Sequence, residues 1–227
     1  GTAVSPYPMG MPVPDWAELI GKGLNWRIAR AEEKMQELKL WECSNREARE
    51  KYDFYRAVIM SLKAVIKNAN RYASLAKEMA AKEADPQRRQ ELLRIAETCE
   101  WVPAKPARNF YEAIQSVWFL HVVTLIEAWE TGISLGRFSQ YMYPFYKKDK
   151  AEGKITEEEG IELLELLLLK MMSYVLFTPS EENRFRQGNT GQHISIGGLT
   201  ADGRDATNDV DYMILEAEKR VKVVQPS

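Results

Sequence analysis

The chain has 227 residues, of which 45% are hydrophobic and 28% are charged, and its 31 basic residues nearly balance its 33 acidic ones. This length can bury a substantial core in one large domain or two small ones, and the balanced charge provides no broad basic field for nucleic acid. Cys43 and Cys99 lie far apart without C-x-x-C spacing, so neither a zinc site nor a disulfide framework is indicated, and a reducing cytoplasm fits best.

Two stretches bear on targeting and membranes. The amino-terminal GTAVSPYPMGMPVPDW lacks a basic start and a continuous apolar run, so it is not typical of a signal peptide. The most apolar run, Ile161 to Phe177, is interrupted by Glu162, Glu165 and Lys170 and is marginal in length for a bilayer. We therefore expect a buried helix there and no membrane partner.

Helical patterns dominate the first half of the chain. Asp85 and Pro86 are typical of an N-cap and a first helical position. Two prolines between Val102 and Arg108 instead predict an extended or turning connection. The four predicted helices are Trp16 to Leu38, Asn45 to Ala84, Pro86 to Cys99 and, apolar on almost every side, Phe110 to Ile126.

The stretch ETGISLGRFSQYMYPFYKKD, Glu130 to Asp149, contains a Gly-Arg pair, closely spaced aromatic residues and a proline. It predicts a buried connection between helices, either a turn of the core or the wall of a pocket. After it, Thr156 and Glu159 form a capping-box pattern, which predicts a helix reaching about Tyr174 or Phe177.

The last part of the chain adds strands. HISI, starting at His193, alternates between glycines and predicts a short strand. A helix from about Ala206 to Lys219 then leads to VKVVQPS, whose valines suggest another strand. Alternating helices and strands predict an α/β fold. The predicted alternation is cut off at the last of these strands, so we expect a fragment.

Isolated motifs give no function. His121 lies within an apolar helix and is interpreted as structural. A metal site at His193 would need carboxylates from elsewhere in the chain, so no metal is predicted. Signatures of serine hydrolases, zinc proteases, redox dithiols and phosphate loops are missing from the sequence.

A longer resemblance is informative. The runs PARNFYEAIQSVWFLH, GISLGRFSQYMYPFYKKD and ISIGGLTADGRDATND, in this order, resemble the pyruvate formate-lyase domain of glycyl radical enzymes. The resemblance implies a helix-rich α/β fold, namely part of a ten-stranded α/β barrel jacketed by helices. Residues 1–130 would supply mainly jacket helices, and residues 131–227 would supply a loop, helices and early barrel strands.

The resemblance also implies a function for the complete enzyme, a lyase in which a cysteine thiyl radical abstracts hydrogen from a small organic substrate. An activating enzyme that uses S-adenosylmethionine and an iron–sulfur cluster would install the glycyl radical, and the complete enzyme would be a homodimer. The catalytic cysteine and glycine loops lie outside this segment, so we expect it to bind no cofactor directly and to be inactive alone. The alternatives are a non-catalytic helical interaction module and one half of a split enzyme.

The candidate substrate-binding residues lie near the Gly-Arg pair. Dehydratase-like members of the family carry a pattern like E-x-N-G-H-S-I-S-x-G-R-F-D-Q, whereas this chain has EAWETGISLGRFSQ. A tryptophan in place of the asparagine and a threonine in place of the histidine favour an aromatic or apolar substrate, as in arylacetate decarboxylation or hydrocarbon addition, over a polyol. Arg137 is expected to be buried, either paired within the protein or binding a substrate carboxylate. The full candidate set is Trp129, Thr131, Ser134, Arg137 and His193.

Overall fold

The computed structural model describes residues 12–38, 46–128, 133–173 and 192–223. Within this described part, no helix is both long enough and apolar enough to cross a membrane. Its elements are α1 (Trp16–Lys22), α2 (Leu24–Glu37), α3 (Arg46–Lys82), α4 (Pro86–Trp101), α5 (Phe110–Ala128), β1 (Ser134–Arg137), α6 (Phe138–Ala151), α7 (Glu157–Met172), β2 (His193–Ser195) and α8 (Asp209–Val221).

The chain divides into two compact units. The helical unit is Ala17–Ala107, and the sheet unit combines Gly1–Trp16 with Arg108–Ser227. In the helical unit α3 packs against both α2 and α4. The buried stripe of α3 consists largely of alanines, which allow helices to approach closely, and Asp85 caps α4 by accepting from Gln87 N at 2.9 Å, as predicted.

The single amphipathic helix predicted from Trp16 to Leu38 is in fact two helices, so that prediction is wrong. The break is at Gly23, whose φ of 75° lies in the left-handed region. A Cβ atom there would lie 2.5 Å from the backbone carbon of Lys105. The backbone NH of Leu24 donates to Pro103 O at 2.9 Å, so the connection after α4 binds the start of α2.

The sheet unit contains a parallel strand pair. Ser134 on β1 pairs with His193 on β2, and Arg137 pairs with Ser195. Three steps along β1 therefore match two steps along β2, and Gly136, with φ of 58°, accommodates this bulge. Parallel strands need a crossover connection, and α6 and α7 lie between β1 and β2 in the chain. The predicted α/β character and the strand at HISI are confirmed.

The aromatic-rich stretch from Glu130 to Asp149 is not a connection between helices, because its described part forms β1 and α6. Phe138, Met142 and Tyr146 recur every four residues on the buried face of α6, where all three are fully buried. Pro144 lies inside the helix. The proline and the Gly-Arg pair are turn signals, and here tertiary burial of the helical stripe overrides them.

The boundaries of the last two helices follow their caps. The Thr156–Glu159 capping box is present at the start of α7, as predicted, and α7 ends at Met172. A second capping box, between Asn208 and Asp211, starts α8 at Asp209, three residues later than predicted. In the region of the predicted final strand, Val221 ends α8, and the residues after 223 lie outside the described part.

Candidate functional site

Ser134, the first residue of β1, is hydrogen-bonded through both of its backbone groups to the segment from Pro12 to Trp16. The backbone NH of Ser134 donates to Pro12 O at 3.2 Å, and its carbonyl oxygen accepts from Trp16 Nε1 at 2.9 Å. Trp16 is almost completely buried, so its indole NH needs the partner that Ser134 provides. The segment from Pro12 to Trp16 therefore fixes β1 from the side opposite to β2.

Ser134 was predicted to face substrate, and its hydroxyl already has bonds within the strands. The Ser134 Oγ accepts from Gly136 N at 3.0 Å and donates to His193 O at 3.5 Å. Only 9% of Ser134 is exposed. The hydroxyl thus stabilises the bulge, while His193 lies half-buried directly opposite on β2.

Arg137 is exposed at the end of β1, so the expectation that it is buried is wrong. Its guanidinium donates to Leu199 O at 3.2 Å, which agrees with the alternative that it is paired within the protein. Gln140 Nε2 donates to Gly197 O at 2.9 Å, and Asp211 Oδ1 accepts from Gly197 N at 2.7 Å. Three side chains, from β1, α6 and α8, therefore hold the backbone that follows β2.

Tyr141 supports the same region from inside α6. Its hydroxyl donates to Leu135 O at 2.8 Å, so its polar end is satisfied within the protein. Burial raises the pKa of the Tyr141 hydroxyl well above its usual value. Burial therefore favours the protonated hydroxyl, which donates to β1.

A buried polar contact lies at the other end of the strands, where they begin. His121 Nε2 is 2.6 Å from Gln192 Oε1, and the same oxygen accepts from Ile133 N at 3.2 Å. Burial lowers the pKa of His121, and the bond to Gln192 only partly opposes this. His121 is buried, as its structural interpretation requires. Gln192 was not singled out from the sequence, where the only signal is its place directly before the HISI strand.

The predicted site residues are only partly brought together. Ser134 and His193 are register partners, and Arg137 is three residues further along β1. Trp129 and Thr131 lie outside the described residues, as does Cys43. Among residues 12–38, 46–128, 133–173 and 192–223, no group of three or more His, Cys, Asp or Glu side chains could hold a metal ion. Cys99 is buried in α4, and burial raises the pKa of its thiol to about 11.

Comparison with known proteins assigns the family. Residues 4–227 match the model of the pyruvate formate lyase-like family. An isethionate sulfite-lyase of Nitratidesulfovibrio vulgaris is 41% identical over 219 residues, covering 94% of this chain and 26% of that protein. A 4-hydroxyphenylacetate decarboxylase glycyl radical subunit of Clostridioides difficile is 37% identical over 175 residues, covering 77% of this chain and 19% of that protein.

A solved structure supports the same assignment. The glycerol-bound B12-independent glycerol dehydratase of Clostridium butyricum superposes with a TM-score of 0.89 at 34% identity, over 97% of this chain and 28% of that one. The chain therefore belongs to the pyruvate formate lyase-like family of glycyl radical enzymes. It spans 19–28% of the length of these three relatives. The predicted family and the helix-rich α/β fold class are confirmed.

Proposed function

We propose that the complete protein containing this chain is a glycyl radical lyase that acts on a small organic molecule. The observation that carries the proposal is the 41% identity over 94% of the chain to an isethionate sulfite-lyase. The radical glycine and the thiyl cysteine would come from residues beyond this segment, so we expect the 227 residues alone to be inactive. We further propose a homodimer, a cytoplasmic location and a separate S-adenosylmethionine-dependent activating enzyme with an iron–sulfur cluster.

The first candidate substrate class is small, polar and hydroxylated or sulfonated. Four isethionate sulfite-lyases, 38–41% identical, and a (2S)-3-sulfopropanediol dehydratase of Klebsiella oxytoca, 33% identical, support this class. An anionic substrate group would suit Arg137, because a guanidinium can bind two oxygens of a sulfonate or carboxylate. Its bond to Leu199 O uses one of five NH donors, so donors would remain for a substrate.

The second candidate substrate class is aromatic. Trp129 and Thr131 stand where dehydratase-like members carry asparagine and histidine, and a flat indole face suits an aromatic ring. An indoleacetate decarboxylase of Tractidigestivibacter scatoligenes, 32% identical over 185 residues, supports this class. In either class we propose that Ser134 and His193 line the substrate side of the strand pair with Trp129, Thr131 and Arg137.

The test of the proposed activity uses the complete reading frame that contains this chain. The protein is expressed with its activating enzyme, treated anaerobically with S-adenosylmethionine and a reductant, and analysed by electron paramagnetic resonance. A glycyl radical signal followed by consumption of one substrate is expected. A relative activated in parallel serves as the control, and absence of the radical signal while that control is activated would contradict the proposal.

The substrate classes are separated by competition among isethionate, glycerol and 4-hydroxyphenylacetate. If the first class is correct, Arg137→Gln should raise KM for isethionate at least about tenfold, because a charge-assisted bond to the substrate is lost, while the radical signal is unchanged. Arg88→Gln, an exposed arginine of α4, is the matched control. If the second class is correct, 4-hydroxyphenylacetate is consumed and Trp129→Asn abolishes the preference for it.

A further inference from the structure

Two buried polar side chains meet where the parallel strands begin. His121 on α5 and Gln192 before β2 are each only 1% exposed. They are 71 residues apart in the chain, yet His121 Nε2 lies 2.6 Å from Gln192 Oε1. Burying two polar side chains is costly unless they bond to each other, and the proposed radical chemistry assigns neither of them a task.

The contact with Ile133 identifies the atoms. A backbone NH can only donate, so the Gln192 atom 3.2 Å from Ile133 N must be the amide oxygen. An amide oxygen can only accept, so His121 must donate to it through Nε2. Burial disfavours the charged imidazolium, so Nδ1 of the neutral ring carries no proton, and among the described residues this atom has no hydrogen-bond partner. The contact therefore fixes one neutral tautomer of the imidazole.

The same oxygen connects three elements. The oxygen accepts from His121 on α5 and from the backbone NH of Ile133, which directly precedes β1. Gln192 itself directly precedes β2. Ser134 and His193, which pair across the two strands, directly follow Ile133 and Gln192. A slip of one residue in such a pairing would turn every side chain of a strand to the opposite face. In the observed register the oxygen accepts from both His121 and Ile133, and a slip of one residue would shift Ile133 relative to Gln192.

We propose that Gln192, oriented by His121, is the positioning residue that fixes the register of β1 against β2 and so places Ser134 and His193 opposite each other. Gln192 touches neither substrate nor radical in this role. It acts through Ser134 and His193, which directly follow Ile133 and Gln192 in the chain. Its expected effect on turnover rests on the proposed function, whereas its effect on the tautomer and the register does not.

The first experiment tests the contact directly. The complete protein is labelled with ring-¹⁵N histidine, and the imidazole ¹⁵N NMR signals that are lost in His121→Gln are assigned to His121. We expect His121 to be a neutral imidazole protonated on Nε2 in the wild type. Gln192→Met, which keeps the length but removes the oxygen, should lose this single tautomer. A wild-type imidazole protonated on Nδ1, or Gln192→Met with unchanged signals, would overturn the proposal.

The second experiment measures turnover by the activated complete protein. Gln192→Met should lower kcat/KM by about 10- to 100-fold, the scale expected for a misplacement of about 1 Å, with an unchanged radical signal. Gln192→Glu, which retains an acceptor oxygen, should recover most of this loss, and exposed Gln87→Met is the matched control. Equal kinetics in Gln192→Met and wild type would contradict the proposal. If the wild type consumes no substrate, the proposed function fails, and the NMR result still decides whether Gln192 holds His121 in one tautomer.

Discussion

Among single residues, Gly23 most clearly shows a backbone requirement. Its left-handed φ permits the break between α1 and α2, and the backbone of Ala104 and Lys105 occupies the space that a side chain would need. Glycine at such a position cannot be replaced without moving one of two main chains. The helical periodicity before and after Gly23 does not reveal this, because the contact is with residues more than 80 positions away.

Gly23→Ala should therefore lower the free energy of unfolding by at least about 2 kcal/mol, from backbone strain and the clash with Lys105. Gly21→Ala is the matched control, since no atom lies within 4 Å of its added Cβ and alanine favours the helix. Urea denaturation followed by circular dichroism measures both variants. Equal stability of Gly23→Ala and Gly21→Ala would show that the backbone at Ala104 and Lys105 can move aside without loss of stability.

His121 gives a pH dependence whose sign follows from its surroundings. Burial lowers its pKa in the folded chain below the usual 6.5, so the unfolded chain binds more protons between the two values. Its contribution to stability should be complete above about pH 6.5 and decrease as the pH falls through that window. Urea denaturation between pH 5 and 7.5 should show a weaker pH dependence in His121→Gln than in wild type. An equal pH dependence of stability in His121→Gln and wild type would show that other groups cause it. His193→Gln is the control for loss of a histidine.

At the scale of helices and strands, polar capping residues were the most reliable signals. Asp85, with Pro86 after it, and the Thr156–Glu159 pair start helices where the sequence predicts. Each cap satisfies backbone NH groups within four residues of itself, so a local pattern suffices. β1 and α6 were missed, and a connection was predicted in their place, because both depend on distant partners. β1 pairs with β2, 59 residues away, and one face of α6 is buried against other elements.

Thr156→Ala should destabilise the chain by about 1 kcal/mol, because the backbone NH of Glu159 loses its acceptor and the Glu159 carboxylate loses the bond from the Thr156 hydroxyl. Ser74→Ala is the control, as it also removes an exposed hydroxyl, but from the interior of α3. Thermal unfolding monitored at 222 nm compares them. A loss in Ser74→Ala as large as that in Thr156→Ala would argue against a capping effect.

At the scale of the whole molecule, the order of motifs along the chain identified the family and the fold class, which no single motif could do. The candidate site was less predictable. The pairing of Ser134 with His193 and the bonds of Gln192 join residues 59 or more positions apart. Local periodicity carries no information about such pairs, so the sequence indicated His193 as a strand residue and left its partner unknown.

The exposed apolar side chains predict how the 227-residue chain behaves alone. Leu166 and Leu169, one turn apart on α7, are 52% and 47% exposed, and Tyr212 on α8 is 67% exposed. Adjacent apolar residues in water favour association. We expect concentration-dependent self-association in sedimentation velocity, reduced in Leu166→Glu/Leu169→Glu. A monodisperse wild-type monomer would contradict this expectation, and Glu162→Gln, which adds no charge, controls for changes elsewhere on α7.

The hydrogen bond from Trp16 to Ser134 on β1 has a consequence for the order in which the protein can fold during synthesis. Trp16 and Ser134 are 118 positions apart. At a synthesis rate of about 5–20 residues per second, Ser134 is therefore made roughly 6–24 s after Trp16. The intervening Ala17–Ala107 unit is continuous in the chain and needs no later residue for its own helix contacts. On the ribosome, the helical unit can therefore fold before β1, the strand to which Trp16 is hydrogen-bonded, has been synthesised.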